Sequence, residues 1–439
     1  MANTYLTKTN SGGGSETKGT FSAWMKICNF GDDNVIFHEL ESSGNYFSIK
    51  LKSGDFLVDA QNNSSAFINV RTNRVLRDFS AWYHIVVAID STQSTAANRI
   101  KIYINGVQET SFSTATYPPV NQNCKINQNN EVQTIGGAGA SEYFDGYLSH
   151  VYWVDGTAYA ASTFGSTDSA TGQWKINTSP SLTMGTNGFT ILKDGKTITD
   201  QSANSNNFSL GGGTLTKSED CPDNVFSTIN TLYNQTTGQG VTPTFGNNLC
   251  YYGSDSSRSC LGSTSPSSGK YYYEAKVFDK TNVVLGIVNL AWGNLNGASG
   301  YSYHDDALNF GYNLNGQKTS GGSNTSFGSA INNNDIFMCA MDLDNQKLYF
   351  GLNGTWQGSG DPTSGSTGTG SAYNLAAGAN YASACRLRNG TQVGFNFGNG
   401  YYSSSSQVSS AGTNASGNGI FEYDVPTGYT ALSTKGLNL

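Results

Sequence analysis

Almost nowhere does this chain offer the apolar spacing of a helix. No window sustains apolar residues at i, i+3, i+4 and i+7 between capping residues. Short runs that alternate apolar and polar residues recur instead, each bounded by Gly, Asn, Asp or Ser. That is the pattern of an all-β sandwich. In 20–27 (TFSAWMKI) Phe21, Ala23 and Met25 alternate with Ser22, Trp24 and Lys26. In 46–52 (YFSIKLK) Phe47, Ile49 and Leu51 alternate with polar partners. The run 99–106 (RIKIYING) puts Ile100, Ile102 and Ile104 on one face and ends in Asn-Gly, the pair that suits a type I′ hairpin because both residues accept φ > 0. Further strands are expected at 81–90, 145–156, 270–278, 282–292, 306–314, 334–344 and 346–354.

One arrangement occurs once in each half. An apolar strand ending in Asp (IVVAID, MCAMDLD) precedes an alternating strand and an Asn-Gly turn (KIYING, KLYFGLNG). One copy per half is not a solenoid repeat, and it predicts two antiparallel sandwich (jelly-roll) domains in tandem. The stretch 160–225 is richer in Ser, Thr, Asn and Gly and poorer in strand runs. The expected division is therefore 1–180, a connecting segment at 181–225, and 226–439. The tracts 358–372 and 401–419, rich in Ser and Gly, read as long exposed loops.

Composition narrows the function. Charged residues make up 13% of the chain, against about 25% on average. The net charge is -7 and there is no Lys/Arg run, which argues against a nucleic-acid partner. No stretch of 18 apolar residues exists, so no spanning helix and no membrane insertion are expected. The opening MANTYLTKTNSGGGS has no apolar h-region and does not read as a secretory signal. The seven cysteines include no CxxC pair, which makes a zinc site improbable. They read as free thiols of a protein folded in a reducing compartment. Cys250 and Cys260 flank a polar loop, and a bridge between them stays open.

Family resemblances sharpen this. The first half, through TFSAWMK, WYHIVVAID, RIKIYINGV and YFDGYLSHVYWVDGTAYAASTFG (143–165), resembles a laminin-G-like, concanavalin A-like domain. The second half resembles a SPRY domain. Its motifs are SGKYYYEAKV (268–277), IFMCAMDLDNQKLYFGLNGTWQGSGDP (336–362), GFNFGNGYY (394–402) and VPTGYTAL (425–432), in the expected order. The tract 185–210, the Cys-Pro-Asp-Asn-Val-Phe junction at 221–226 and the domain pair are similar to structural proteins of marine tailed phages. That resemblance implies a tail fibre or head decoration on the virion surface, made in the host cytoplasm.

The concanavalin-like class also contains hydrolases, whose retaining members need two carboxyl groups about 5–5.5 Å apart. No Glu-x-Asp-x-x-Glu strand occurs. Glu39 and Glu41 share a strand face in FHELE and read as a solvated strand end. Asp342 and Asp344 match the SPRY motif and read as turn formers. His84 and His150 lie inside strand runs and read as structural. The laminin-G resemblance directs attention to calcium: GDDN and SGD carry hard oxygens, so Asp32, Asp33 and Asp55 are the candidate ligands. Loop acids are equally common without a metal, and both readings stay open. Aromatic faces beside Asn and Asp are what a sugar needs. In 290–309 that mixture is Trp292, Asn294, Tyr301, Tyr303, His304 and Asp305. An alternative is that Trp292 and the tyrosines simply close the sandwich.

The expectation is thus a non-enzymatic virion structural protein without a resident cofactor. Its partners would be copies of itself, other virion proteins and host-surface glycan. A polysaccharide-degrading enzyme and a secreted lectin-like adhesin are the alternatives.

Overall fold

A computed structural model describes residues 3–28, 33–230, 241, 243–291 and 303–438. The chain forms two compact units, Met1–Lys217 and Ser218–Leu439. Both are all-β and antiparallel apart from one short parallel pairing, with only single-turn 3-10 helices among the described residues. No described helix is long and apolar enough to cross a membrane.

In the first unit the larger sheet runs, in spatial order, Phe112–Thr116, Ser65–Val75, Asp55–Asn62, Asn45–Lys52, Asn34–Ser42, Val132–Ile135, Tyr5–Thr9 and Ser209–Gly212. The smaller runs Phe189–Ile191, Gly146–Asp155, Lys18–Ile27, Trp82–Asp90, Ile100–Ile104 and Val107–Gln108. The alternating apolar residues meet in one core that includes Phe21, Met25, Phe37, Phe47, Ile102 and Trp153. Trp153 stacks on Phe37 with ring centroids 4.7 Å apart. Asn105 and Gly106 both take positive φ (49° and 80°), the hairpin geometry their sequence predicts.

The strand Lys18–Ile27 is buried on both faces, not on one. A second small cluster explains this. Val86, Tyr152, Ala161 and Phe164, with Trp174 beside them, cover the outer side of the smaller sheet. There Trp24, His84 and Trp174 stack in sequence, at centroid distances of 5.0 and 5.9 Å. The Trp174 indole donates to His84 Nδ1 at 3.0 Å, so Nδ1 is an acceptor and the ring is held as the neutral Nε2–H form facing Ser22 Oγ.

The stretch 181–217, expected within a connecting segment, instead supplies an edge strand to each sheet of the first unit. Its polar composition hid three apolar anchors, Phe189, Ile191 and Phe208, all buried in the core. Asp200 shapes its turn by accepting the backbone N–H groups of Thr190, Ser202 and Asn206.

Glu39 also departs from expectation. It is not solvated but lies inside the sandwich at 1% exposure. Lys8, Gln133 and Glu39 are directly opposed on three adjacent strands and form an interior polar row. Glu39 accepts from Asn10 Nδ2, the Gln128 N–H and Gln133 Nε2. Glu41 pairs with Lys125 at 2.7 Å.

In the second unit the larger sheet runs Leu249–Tyr252, Thr391–Asn396, Lys270–Asp279, Ile336–Asp342, Lys347–Leu352 and Thr355–Trp356. Two short strands, Tyr373–Asn374 and Thr430–Ala431, join this sheet off the main path. The smaller runs Arg258–Leu261, Tyr381–Leu387, Val284–Asn289, Phe310–Asn313, Gln317–Ser320 and Ser323–Ser326. Tyr273, Phe337, Phe350 and Phe395 fill the space between. The second Asn-Gly turn, Asn353–Gly354, repeats the positive φ pair at 47° and 80°. Asp342 accepts the Asn345 N–H, as a turn former does, whereas Asp344 accepts the N–H of Gly269, far along the chain. All seven cysteines are free, and Cys250 and Cys260 are buried beside Cys385.

Candidate functional site: a polar row on the first unit

Of the sugar-binding cluster expected in the second unit, the described residues include Tyr303, His304 and Asp305. Trp292, Asn294 and Tyr301 lie outside the described residues. Tyr303 begins the single helical turn Tyr303–Asp305 and is wholly buried, packed with Leu261, Val284 and Val288. Its ring covers the outer side of the smaller sheet and offers no face to a sugar. His304 is buried, and burial with the nearby Arg386 charge pulls it down to about 4, so it is neutral. Asp305, 43% exposed in its side chain, is the one member of the described trio that reaches solvent.

Of the expected calcium ligands, Asp33 and Asp55 are described, and both face cations of the chain. Asp32 lies outside the described residues. Asp55 pairs with Arg71 at 2.9 Å. Asp33 faces Lys50 Nζ at 3.3 Å and Lys52 Nζ at 3.5 Å. These carboxylates are matched by cations of the chain. Among the described residues no group of three His, Cys, Asp or Glu side chains is placed to hold a metal ion.

Asp33 nevertheless marks a distinctive place, the outer face of the first unit's larger sheet. Phe37, Ile49 and Val58 point into the core, so His38, Ser48 and Asp59 point out. Register places these three directly opposite one another on adjacent strands. Lys50 projects from the neighbouring row and lies between Asp33 and Asp59, 3.6 Å from the latter. Tyr46 donates to Asp59 Oδ2 at 3.0 Å, and its ring lies 5.3 Å from that of His38. Along the row the side chains are buried, with Ser48 1% exposed, while Tyr46, Gln61, Asn69 and Arg71 around it are half-buried. The Gly-rich turn before Tyr143 flanks this face, since Val35 bridges to Tyr143 and the Glu142 carbonyl accepts the Val35 N–H.

The electrostatics follow from burial and pairing. Burial opposes the Lys50 charge, but Asp59 and Asp33 outweigh it and hold the ammonium above its ordinary range. Burial raises Asp59, and Lys50 and Tyr46 work against that. Burial, then the Lys50 charge, pulls His38 down to about 4. Four buried polar atoms here have no hydrogen-bond partner: His38 Nδ1, Ser48 Oγ, Asp59 Oδ1 and Asp33 Oδ1, the last within 3.3 Å of Lys50 Nζ. Sequence reasoning missed His38, Ser48 and Asp59. Their only signal was their place as the polar partners of alternating runs, and alternation does not say which strands lie side by side.

Two histidines and one glutamate give this unit an acid response. His38 and His84 have folded values near 4 and 3 against an ordinary 6.5, both chiefly through burial. The unfolded chain protonates first, so each costs stability as pH falls below about 6.5. Glu39, raised by burial to about 7 from 4.5, acts oppositely and restores stability as pH falls from 7 towards 4.5. The two histidines together outweigh Glu39, so we expect the native first unit to lose about 1–2 kcal/mol between pH 7 and 5. Glu39→Gln, lacking the opposing group, should lose about 4 kcal/mol over that interval in urea titrations. A pH-independent Glu39→Gln variant would contradict these assignments.

Comparison with known proteins agrees with the fold. Residues 2–162 match the family described as "Concanavalin A-like lectin/glucanases superfamily". Solved structures similar to this chain include the SPRY domain of human HERC1, at 14% identity over 34% of this chain and 87% of that one, with a TM-score of 0.26. A second human SPRY domain gives 16% identity, 34% and 90% coverage and a TM-score of 0.27. The heptameric SAP-like pentraxin of Limulus polyphemus gives 16% identity, 44% and 90% coverage and 0.30. No curated protein matches the chain. The class is therefore an all-β protein of two tandem antiparallel sandwiches. The first unit carries the laminin-G-like, concanavalin A-like match.

Proposed function

We propose that this is a non-enzymatic structural protein displayed on a virus particle, as a tail fibre or capsid decoration, and that it adheres to surface glycans. Fold alone does not supply a function. The observation that supports the adhesive reading is the match of residues 2–162 to the family described as "Concanavalin A-like lectin/glucanases superfamily". The close carboxylates Asp33 and Asp59 do not resemble a hydrolytic pair. The Lys50 ammonium lies between Asp33 and Asp59, where a glycosidic oxygen would have to sit. The other buried carboxylates named above, Glu39, Asp200 and Asp342, are engaged by donors of the fold.

The virion setting is supported by the likeness of 185–210 and of the 221–226 junction to tailed-phage structural proteins. Assembly with copies of itself and with other virion proteins belongs to the same reading. Mass spectrometry of purified particles should find the chain at a fixed copy number. Its absence from particles would sink the virion assignment. Reducing ends released from host polysaccharide by the purified protein would replace adhesion with hydrolysis.

A further inference from the structure

The interior row of the first unit holds an amine, a carboxamide and a carboxyl group in line, and neither the fold nor the adhesive reading accounts for that set. Alternation along the strand Tyr5–Thr9 sends Leu6 and Lys8 to the core side, and Asn10, one residue past the strand, follows them. Lys8 is 7% exposed, and Asn10 and Glu39 are 1% exposed. Lys8 Nζ donates to Asn10 Oδ1 at 2.7 Å. The Asn10 carboxamide nitrogen donates to Glu39 Oε1 at 3.1 Å and to the Gln128 carbonyl at 2.9 Å. The rings of Phe189 and Phe208 wall the amine, with centroids 5.8 and 6.0 Å from Nζ.

Burial prepares the two ends of this line. It pulls the Lys8 amine down to about 8, against the opposing charges of Glu39, Asp200 and Asp155. It raises Glu39 to about 7. Near neutral pH the free amine and the protonated carboxyl are therefore both populated, and these are the forms that amide exchange needs. The carboxamide between them is fixed at both of its polar atoms, so nucleophile and electrophile are held in contact and the entropic part of the barrier is already met. A hydrogen-bonded chain that served only the fold would need neither an ammonium nor a carboxylate in the interior, where both are costly.

We propose that the first unit cross-links itself, Lys8 Nζ attacking Asn10 Cγ to form an isopeptide bond. The Nζ–Cγ bond forms and the Cγ–Nδ2 bond breaks. Glu39, already bonded to Nδ2, delivers its proton to that nitrogen, which leaves as ammonia, and Glu39 then takes the proton that Nζ sheds. One amine and one primary amide become one secondary amide and one ammonia, with no oxidant, metal or further reactant. The new amide is uncharged, so the reaction removes the buried ammonium from the interior.

Mass spectrometry of the purified full chain tests this. The intact mass should fall short of the sequence mass by one ammonia, and trypsin should not cut after Lys8, whose amine is then an amide. A succinimide at Asn10 would also shed ammonia but would leave Lys8 cleavable, so that result would overturn the proposal. A chain of full mass that is cut after Lys8 would do the same. Lys8→Met, which lacks the nucleophile, should show no ammonia deficit. Glu39→Gln that keeps the parent's β-sheet dichroism should cross-link at least about a hundredfold more slowly and remain largely at full mass. A parent-like deficit in either variant would overturn the assignment, and the parent's own mass and tryptic map decide it even where a variant does not fold. None of these outcomes bears on adhesion or on presence in particles.

Discussion

Glu274→Ala should unfold the second unit at a far lower temperature than the parent while leaving the first unit's transition in place. Glu274 is 0% exposed, on the strand Lys270–Asp279. Its carboxylate accepts Tyr272 Oη at 2.9 Å and Tyr402 Oη at 2.5 Å. It also accepts the backbone N–H groups of Glu422 and Tyr423, both at 2.9 Å. One side chain thus fastens the long polar segment after Tyr402 to the centre of the larger sheet. Burial pushes the carboxyl above its ordinary range, and the bonds from Tyr402, the two amides and Tyr272 oppose that shift. Removing it strands four donors, each costing about 1–3 kcal/mol when buried. With partial relaxation the loss is about 4 kcal/mol, which for a unit of this size lowers the melting temperature by about 10 °C. Hydrogen exchange of peptides spanning 268–279 and 418–425 locates the effect. An unshifted transition would show that the segment is held by other contacts.

Asn127→Ala is expected to be comparably damaging in the first unit. Asn127 is wholly buried and sits at φ 57°, a left-handed conformation that asparagine tolerates better than alanine. Its Oδ1 accepts the Trp153 indole N–H at 2.7 Å, and its Nδ2 donates to the Ser15 carbonyl at 2.8 Å. Its own carbonyl accepts from Gly14 and from Asn187 Nδ2. The substitution orphans the indole N–H and the Ser15 carbonyl, at about 1–3 kcal/mol each, and adds about 1 kcal/mol of backbone strain. The expected loss is about 4 kcal/mol by urea unfolding. Asn127→Gly should recover about 1 kcal/mol of it by relieving the backbone. Equal stability of the two variants would show that φ contributes nothing here.

Both residues show what could be read beforehand. Glu274 stands in the motif that resembles the SPRY opening strand, so its importance was visible while its donors were not. Three of its four donors come from residues 402, 422 and 423, far along the chain, and local pattern carries no information about them. Asn127 lies in no motif at all. Tyr303 shows an ambiguity that local pattern leaves: a tyrosine in a polar, Gly-rich stretch can face a sugar or close the sandwich, and the single turn at 303–305 lays its ring over the sheet. Glu39 fails for a related reason. An acid two residues from another on a strand suggests a wet edge, but the row formed with Gln133 and Lys8 supplies partners that make its burial tolerable.

By itself the sequence determined the class of fold, the two-domain plan and the two Asn-Gly hairpins. These depend on side-chain alternation and on backbone preferences, which act over two to ten residues. Only the tertiary structure decided which polar residues meet. Alternation assigns Ser48 and Lys50 to the same face of their own strand. It cannot say that His38 and Asp59 will lie opposite Ser48, because that depends on cross-strand register. It also cannot say that 189–212 returns to close the edges of the first sandwich, since that depends on where Phe189, Ile191 and Phe208 find apolar surface to cover. The polar row is a property of neighbouring strands, and no single strand contains it.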